Sequence, residues 1–105
     1  MRRGTTPTHC FSLPVKAENV DKIYITYSQI KTIKFEKTKP DVSLKDNDDG
    51  MSCMAEVSLN QNDTLELIAN VDCNIQIRFV TTVEEAFASQ IICEPVEDIL
   101  KEGEI

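Results

Sequence analysis

Short segments in which apolar and polar residues alternate run through most of this 105-residue chain, and they constrain its fold more than any other feature. Alternation with a period of two places one set of side chains on the buried face of a β-strand and the other set in solvent. The alternating segments are His9–Leu13, Lys22–Ser28, Lys31–Lys37, Val42–Leu44, Met51–Leu59, Leu65–Leu67, Asn74–Thr82 and Ala86–Glu94. The pattern predicts seven or eight short strands without crossover helices. It is typical of an all-β, antiparallel two-sheet β-sandwich with immunoglobulin-like topology, and a small barrel is the alternative.

The alternation also predicts the core, because apolar residues gather on one face of each strand. The side chains expected to point inward are Ile23, Ile25, Tyr27, Ile33, Phe35, Met51, Cys53, Ala55, Val57, Leu59, Ile75, Ile77 and Phe79. In Ala86–Glu94 the inward face stays ambiguous. Between strands, Asp46–Gly50 predicts a polar turn, Asn60–Thr64 a tight turn or one helical turn, and Val96–Glu102 a short helical turn.

Length predicts a single domain covering residues 1–105, since two halves of such a chain are too small to bury separate cores. The polar ends, Met1–Pro7 and Lys101–Ile105, are expected to extend as arms that become ordered on a neighbouring subunit. The first residues lack the apolar run of a signal peptide, and no stretch of 18 apolar residues occurs. These features predict a soluble protein made in the cytosol.

Charge is distributed unevenly along the chain. Residues 1–39 hold eight basic and three acidic side chains, whereas residues 40–105 hold three basic and fifteen acidic ones. The formal net charge of −7 disfavours binding to nucleic acid or to an anionic membrane. A basic region and an acidic region on one molecule favour head-to-tail contact between copies. The alternative is that strands from both halves interleave and average the charge.

Residue types that perform catalysis are present without the spacing that catalysis needs. The only histidine, His9, precedes Cys10, but adjacent residues of a strand point to opposite faces and cannot act as a nucleophile and its base. No phosphate-binding glycine loop, GxSxG or HExxH pattern occurs. The sequence therefore predicts no enzyme, no catalytic residue, no cofactor and no small-molecule substrate.

Two sets of residues are of types that bind metals. An EF-hand loop with Gly50 at its sixth position has Lys45 where the first carboxylate is needed, and its last ligand, Glu56, lies in a predicted strand. The second set is the cysteines, Cys10, Cys53, Cys73 and Cys93. They form no CxxC pair and no Cys/His pair with zinc spacing, so we expect reduced, largely buried thiols. No metal site is predicted, and a zinc site of His9, Cys10 and distant cysteines is the alternative.

Four segments resemble motifs shared by one group of proteins. Arg3–Val15 (RGTTPTHCFSLPV) is similar to R-G-T-T-P-T followed by F-x-L-P, and Ile25–Gln29 (ITYSQ) is similar to a V/I-T-Y/F-x-Q strand. Val57–Leu67 resembles a V-x-L-T-Q-x-D/E-T-L-x-L turn, and Ile75–Ile105 resembles an ending with I-Q-I-R and I-L-K-x-G-x-I. The group is the small virion-associated structural proteins of tailed phages and prophages of Firmicutes. The likeness covers most of the chain except Lys39–Met54.

The resemblance implies a structural component of a phage. A looser likeness links the chain to the small N-terminal sandwich domains of phage baseplate upper proteins, which dock onto neighbouring virion subunits through strands with polar outer faces. The sequence departs from the group at Glu85, where a glycine usually precedes Ala86. None of the motifs is catalytic, so the resemblance implies no site residue.

The leading hypothesis is a non-enzymatic structural or assembly protein of a phage or prophage virion, in the tail, baseplate, neck or capsid surface. The expected partners are other virion subunits and further copies of itself, and the expected location is the virion, assembled in the host cytoplasm. Tyr24 and Met54 are candidates for a partner-facing surface. The alternative is a phage-encoded intracellular inhibitor whose acidic surface mimics nucleic acid. A carbohydrate-binding sandwich is disfavoured because the chain has no Trp.

Overall fold

The computed structural model describes residues 1–105 and contains eight strands. They are β1 (Thr8–Leu13), β2 (Val20–Gln29), β3 (Thr32–Thr38), β4 (Val42–Asp46), β5 (Cys53–Ser58), β6 (Cys73–Thr81), β7 (Ala86–Ala88) and β8 (Ile92–Glu94). One short helix, α1 (Gln61–Leu65), and two 3₁₀ turns, Ala17–Asn19 and Lys39–Asp41, lie between strands. None of the helices has the length and apolar character needed to cross a membrane.

The strands form two antiparallel sheets. The three-stranded sheet has the order β1–β5–β4, and the five-stranded sheet has the order β3–β2–β6, with β7 and β8 both paired to the far side of β6. This architecture confirms the predicted all-β, antiparallel two-sheet sandwich. The strand order differs from that of an immunoglobulin constant domain. Here β2 pairs with β3, whereas in the immunoglobulin domain the second strand lies in the other sheet, with the first, fourth and fifth strands.

The core lies between the sheets and is built mainly from aliphatic side chains. Its buried residues are Leu13, Val20, Ile23, Ile25, Tyr27, Cys53, Ala55, Val57, Leu59, Leu67, Cys73, Ile75, Ile77, Phe79 and Val96. Most side chains predicted to point inward are in this set, since period-two alternation correctly assigned the faces of β2, β5 and β6. Met51 is an exception, because it lies in the exposed turn before β5 and not in the strand.

The prediction for Ile33 is wrong, and a β-bulge is the reason. Tyr27 pairs with Phe35, but the next residue of β2, Ser28, pairs with Ile33, so Lys34 is an extra residue in β3. One extra residue reverses the faces of the residues on either side of it. Phe35 therefore packs against Tyr27 with the ring centroids 4.5 Å apart, whereas Ile33 is 62% exposed on the outside of the sheet.

The predicted long strand Ala86–Glu94 is divided into β7 and β8. Between them, Ser89 is held on β6 by its own hydrogen bonds: its backbone N–H donates to Ile77 O, and its Oγ accepts from Ile77 N–H. The backbone cannot continue the ladder through this point, so the strand breaks. The inward face of the segment is now assigned, because Phe87 lies opposite Phe79 and Ile92 opposite Ile75.

Three further expectations differ from the structure. Leu65–Leu67 is not a strand, because the capping box of Asn60 and Asp63 begins α1 and the helix runs on to Leu65. Val96–Glu102 contains bends and no helical turn. The N-terminal residues do not extend as an arm: Arg3 N–H donates to Glu97 O, and Glu97 N–H donates to Met1 O.

Candidate functional site

The exposed side of the five-stranded sheet carries an unusual mixture of side chains. Successive residues of a strand point to opposite faces, so burial of Ile23, Ile25 and Tyr27 turns their neighbours outward. We call this surface the outer face, and it consists of Tyr24, Thr26, Ser28, Ile33, Glu36, Asn74, Gln76, Arg78 and Ile91. Hydroxyl and amide side chains dominate it, with one basic and one acidic residue among them.

Tyr24 and Arg78 lie directly opposite each other on β2 and β6 at the centre of the outer face. Tyr24 is 42% exposed and Arg78 is also exposed. The acidic residue of the face, Glu36, accepts a hydrogen bond from Thr26 Oγ1 at 2.9 Å and forms no ion pair with Arg78. Neither Tyr24 nor Arg78 makes a side-chain hydrogen bond within the chain. Tyrosine and arginine are the residue types that most often carry binding energy in protein interfaces.

A hollow of about 140 Å³ lies beside this pair. Its walls are Tyr24, Arg78, Phe79, Val80, Ala86 and Phe87. The rings of Phe79 and Phe87 stack on the inward side of the sheet, with centroids 5.0 Å apart and an interplanar angle of 14°. On the outer side the hollow is therefore bordered by the side chains of Tyr24, Arg78, Val80 and Ala86.

Two exposed isoleucines flank the other part of the outer face. Ile33, turned outward by the bulge, and Ile91, in the break between β7 and β8, border a groove of about 290 Å³. The other residues that line this groove are polar, so the two isoleucines are its only apolar side chains.

The β2–β3 turn next to Ile33 has a strained backbone. Ile30 has φ of +49° and Lys31 has φ of +60°, in the left-handed region that a two-residue hairpin turn requires. A β-branched residue is rarely found there, because its Cβ substituents clash with the backbone. Strain of this kind marks a segment held in place by the rest of the structure.

Residues from several of the sequence motifs meet at one end of the sandwich. We call this group the end cluster, and it consists of Arg3, Gln29, residues 64–71, Asp98 and Glu102. Arg3 Nε donates to Leu67 O at 2.8 Å and Nη2 donates to Leu65 O at 3.1 Å, which satisfies carbonyls at the end of α1. Its Nη1 also forms ion pairs with Asp98 and Glu102. The Ile99 backbone N–H and the Arg3 guanidinium lower the pKa of Asp98.

Gln29 is the buried centre of the end cluster, with no exposed surface. Its Nε2 donates to Ile68 O and to Val71 O, both at 2.9 Å, and its Oε1 accepts from Ile68 N–H at 2.7 Å. The amide thus fixes the loop after α1 through three bonds. The motif segments that carry the resemblance come together here, and their polar groups are used to hold the ends of the chain.

His9 and the cysteines lie apart from one another. His9 points inward, stacks on Tyr27 with centroids 5.7 Å apart, and shares a hydrogen bond of 2.7 Å between Nδ1 and the Tyr27 hydroxyl. Burial lowers the pKa of His9 and raises that of Tyr27. Cys10 is exposed on the opposite side of β1.

The thiols form no disulfide, and no group of three or more His, Cys, Asp or Glu side chains is placed to hold a metal ion. Cys53 and Cys73 are buried, whereas Cys10 and Cys93 are exposed. Burial raises the pKa of the Cys73 thiol to about 11.

The two residues that the sequence indicated for a partner-facing surface lie on different sheets. Tyr24 is on the outer face, and Met54 is on the exposed side of the three-stranded sheet, so they do not form one surface. Sequence reasoning did not connect Tyr24 with Arg78, because the register of β2 and β6 was unknown.

No family model, no curated protein and no solved structure matches the chain. Membership of the phage group therefore stays a prediction from the motifs.

Proposed function

We propose that the chain is a non-enzymatic assembly subunit that binds another protein through its outer face. The single observation that carries this proposal is the Tyr24–Arg78 pair, which is exposed at the centre of the five-stranded sheet and has no side-chain partner within the chain. Around it, neutral hydroxyl and amide groups can exchange hydrogen bonds with water for hydrogen bonds with a partner at little net cost.

The assembly that we propose is a phage or prophage virion. The sequence motifs support this setting, and a small rigid sandwich with one docking face suits a subunit that is added to a larger structure. The inhibitor alternative has less support, because Asp98 and Glu102 are engaged by Arg3 and cannot serve freely as mimics of phosphates.

The experiment measures incorporation into virions. Particles are purified from bacteria that carry the encoding phage or prophage, and the copy number of the chain per particle is measured by quantitative mass spectrometry. The chain should be present in fixed stoichiometry in wild-type particles. Its absence from them contradicts the proposal.

The docking face is tested with Tyr24→Thr and Arg78→Gln. Threonine, like tyrosine, is favoured in strands, so Tyr24→Thr should leave the fold intact. Both variants should be lost from the particle, whereas Met54→Thr, on the exposed side of the other sheet, should be incorporated normally. Equal incorporation of all three variants would place the docking surface elsewhere.

A further inference from the structure

The free edge of β1 carries backbone groups that no other strand of the chain uses. β1 pairs only with β5 in the three-stranded sheet. Leu59 N–H donates to Pro7 O at 2.9 Å, so the odd-numbered residues that follow Pro7 face β5 in the register of this ladder. Backbone groups of successive strand residues point to opposite sides. The N–H and C=O groups of Thr8, Cys10 and Ser12 therefore point to the free edge.

The other sheet edges have features that prevent pairing, and the edge of β1 has none of them. β3 has a bulge at Lys34, and Lys37 lies in the same strand. β4 ends in Lys45 and Asp46, and β7 and β8 have only 3 residues each. Bulges, charges and short length are the means by which proteins keep edge strands from pairing with another chain. β1 has 6 residues and contains no acidic residue, lysine, arginine, proline or bulge.

The sequence of β1 is complementary to itself when two copies run antiparallel. With Cys10 opposite Cys10 of a second copy, Thr8 lies opposite Ser12, and both are on the exposed side. His9 then lies opposite Phe11 on the inward side. The side-chain pairs are thus hydroxyl with hydroxyl and aromatic with aromatic, and cross-strand pairs of both kinds stabilise sheets. Every backbone group on the free edge also meets a partner, whereas registers displaced by two residues run beyond the end of the strand.

The inward side of β1 has apolar surface that the chain covers only in part. His9 and Phe11 are half-buried, because no strand lies beyond β1 in its sheet. At the end of β1, a cleft of about 150 Å³ opens between the two sheets. The apolar residues that line it are Leu13, Pro14, Ile77, Phe79, Phe87 and Ala88. In the register centred on Cys10, Pro7 of the second copy lies opposite Leu13 and covers part of the mouth of this cleft.

Charge does not oppose a contact of this kind. Glu56, opposite Cys10 on β5, is the only acidic residue on the exposed side of these two strands. The two Glu56 carboxylates of a pair of copies would be three strand spacings apart, about 14 Å. This separation exceeds the Debye length of about 8 Å at physiological ionic strength, so their repulsion is screened.

We infer that β1 pairs antiparallel with β1 of a second copy about a two-fold axis at Cys10. The three-stranded sheets of the two copies then form one continuous sheet. Such a contact is isologous and closes at the dimer. It lies at the edge of the sheet opposite the outer face, so the inference goes beyond the proposed function and leaves the outer face free to dock.

The first measurement is sedimentation velocity of the whole chain under reducing conditions, from about 10 μM to 1 mM, a range that covers weak dimers. The wild-type chain should form dimers and nothing larger as its concentration rises. Cys10→Lys places two like charges directly opposite each other, with the Cα atoms about 5.5 Å apart, and should weaken association by roughly 5-fold or more. Ser43→Lys is the matched control, because Ser43 lies opposite the same Glu56 from the other side, on β4. It should associate like the wild type.

Mixing Cys10→Lys with Cys10→Glu tests the register. Each variant alone repels its own copy at the axis, whereas the mixture brings opposite charges together and should form a one-to-one heterodimer. Rescue of this kind requires that residue 10 of one copy lies opposite residue 10 of the other. Equal unfolding temperatures of Cys10→Lys and Ser43→Lys establish that folding is unchanged.

Amide hydrogen exchange followed by NMR tests the edge itself. Exchange of the Cys10 and Ser12 N–H groups should slow as the concentration of the wild-type chain rises, because these groups point to the free edge. The His9 and Phe11 N–H groups pair with β5 and should be protected at every concentration.

Four results would overturn the inference. They are a wild-type chain that stays monomeric at every concentration, a Ser43→Lys variant that is weakened as much as Cys10→Lys, a mixture that forms no heterodimer, and protection that rises with concentration in β3 instead of β1. Tyr24→Thr should form dimers like the wild type, since the outer face is not part of the contact. Loss of the dimer in this variant would place the contact on the outer face and contradict the inference, while docking into virions is decided separately by incorporation.

Discussion

The end cluster and the outer face are both rich in polar side chains, but only in the end cluster do the central ones have partners. Arg3 donates to two backbone carbonyls and two carboxylates, and Gln29 makes three hydrogen bonds. At the centre of the outer face, Tyr24 and Arg78 have no side-chain partner in the chain. Polar groups that are satisfied internally hold the fold, whereas those without partners are available to another molecule. The comparison therefore separates residues that keep the domain together from residues that allow it to bind.

The largest effect is expected at Gln29. Gln29→Leu removes three part-buried hydrogen bonds, so the Ile68 N–H, the Ile68 carbonyl and the Val71 carbonyl lose the partner that Gln29 provides. Each unsatisfied buried group costs about 1–3 kcal/mol, so the free energy of unfolding should fall by about 3–5 kcal/mol. Urea denaturation followed by circular dichroism measures it.

Gln76→Leu is the matched control, since it makes the same substitution on the same sheet. Gln76 is partly exposed and donates one hydrogen bond, to Ser89 O at 3.0 Å. Its replacement should cost about 1 kcal/mol or less, because water can solvate the carbonyl that is released. A similar loss of stability in both variants would remove the distinction between the two regions.

A smaller effect is expected from a comparison of two arginines. Arg3→Gln should lower the free energy of unfolding by about 2 kcal/mol, mainly through the lost bonds to Leu65 O and Leu67 O, because exposed ion pairs contribute little. Arg78→Gln should change it by less than about 0.5 kcal/mol. The same denaturation measurement checks both variants. Arg3→Gln should leave docking at the outer face unchanged, whereas Arg78→Gln should reduce it.

The sequence could predict most of the sandwich because alternation is a local signal. In β2, the run Ile23, Ile25, Tyr27 and Gln29 shares one face, and all four are buried. The alternation cannot reveal a bulge, since the extra residue Lys34 is defined only by the pairing of β3 with β2. It also cannot reveal the break at Ser89, which arises from hydrogen bonds to β6.

The candidate site was less predictable than the fold because it, too, depends on the pairing between strands and not on local alternation alone. Alternation places Tyr24 and Arg78 on outward faces, but only the register of β2 against β6 brings them together. The polar character of Met1–Pro7 and Lys101–Ile105 predicts arms. The ion pairs of Arg3 with Asp98 and Glu102 join residues that are 95 and 99 positions apart, and no local pattern indicates them.

Acid should destabilise the interior around His9. Burial lowers the pKa of His9 from its ordinary value of 6.5, so the unfolded chain takes up a proton at a higher pH than the folded chain. The stabilisation that comes from neutral His9 is complete above pH 6.5 and is lost as the pH falls through the folded-state pKa. Stability should therefore decline between pH 7 and pH 5, and His9→Gln should flatten this slope.

Hydrogen bonds and neighbouring positive charge lower the pKa values of the carboxyl groups of Asp49, Glu97 and Asp98. Protonation of these groups destabilises the fold only below pH 5. The range from pH 5 to pH 7 therefore isolates the effect of His9. Thermal unfolding at half-unit pH steps measures the slope for both proteins. An unchanged slope in His9→Gln would mean that another group titrates in this range.

The smallest effect on stability, and the sharpest test of position, comes from the two exposed cysteines. Cys93 lies opposite Asn74 beside the outer face, and Cys10 lies on the exposed side of the three-stranded sheet. The variants Cys10→Ser and Cys93→Ser each leave one accessible thiol, because Cys53 and Cys73 are buried and the raised pKa of Cys73, about 11, leaves little thiolate at pH 7. A bulky maleimide attached at Cys93 should block docking through the outer face, whereas the same label at Cys10 should leave docking unchanged. The unfolding temperatures of the two labelled proteins should match. Equal inhibition by both labels would show that the two sides of the sandwich contribute equally, and the outer face would lose its distinct role.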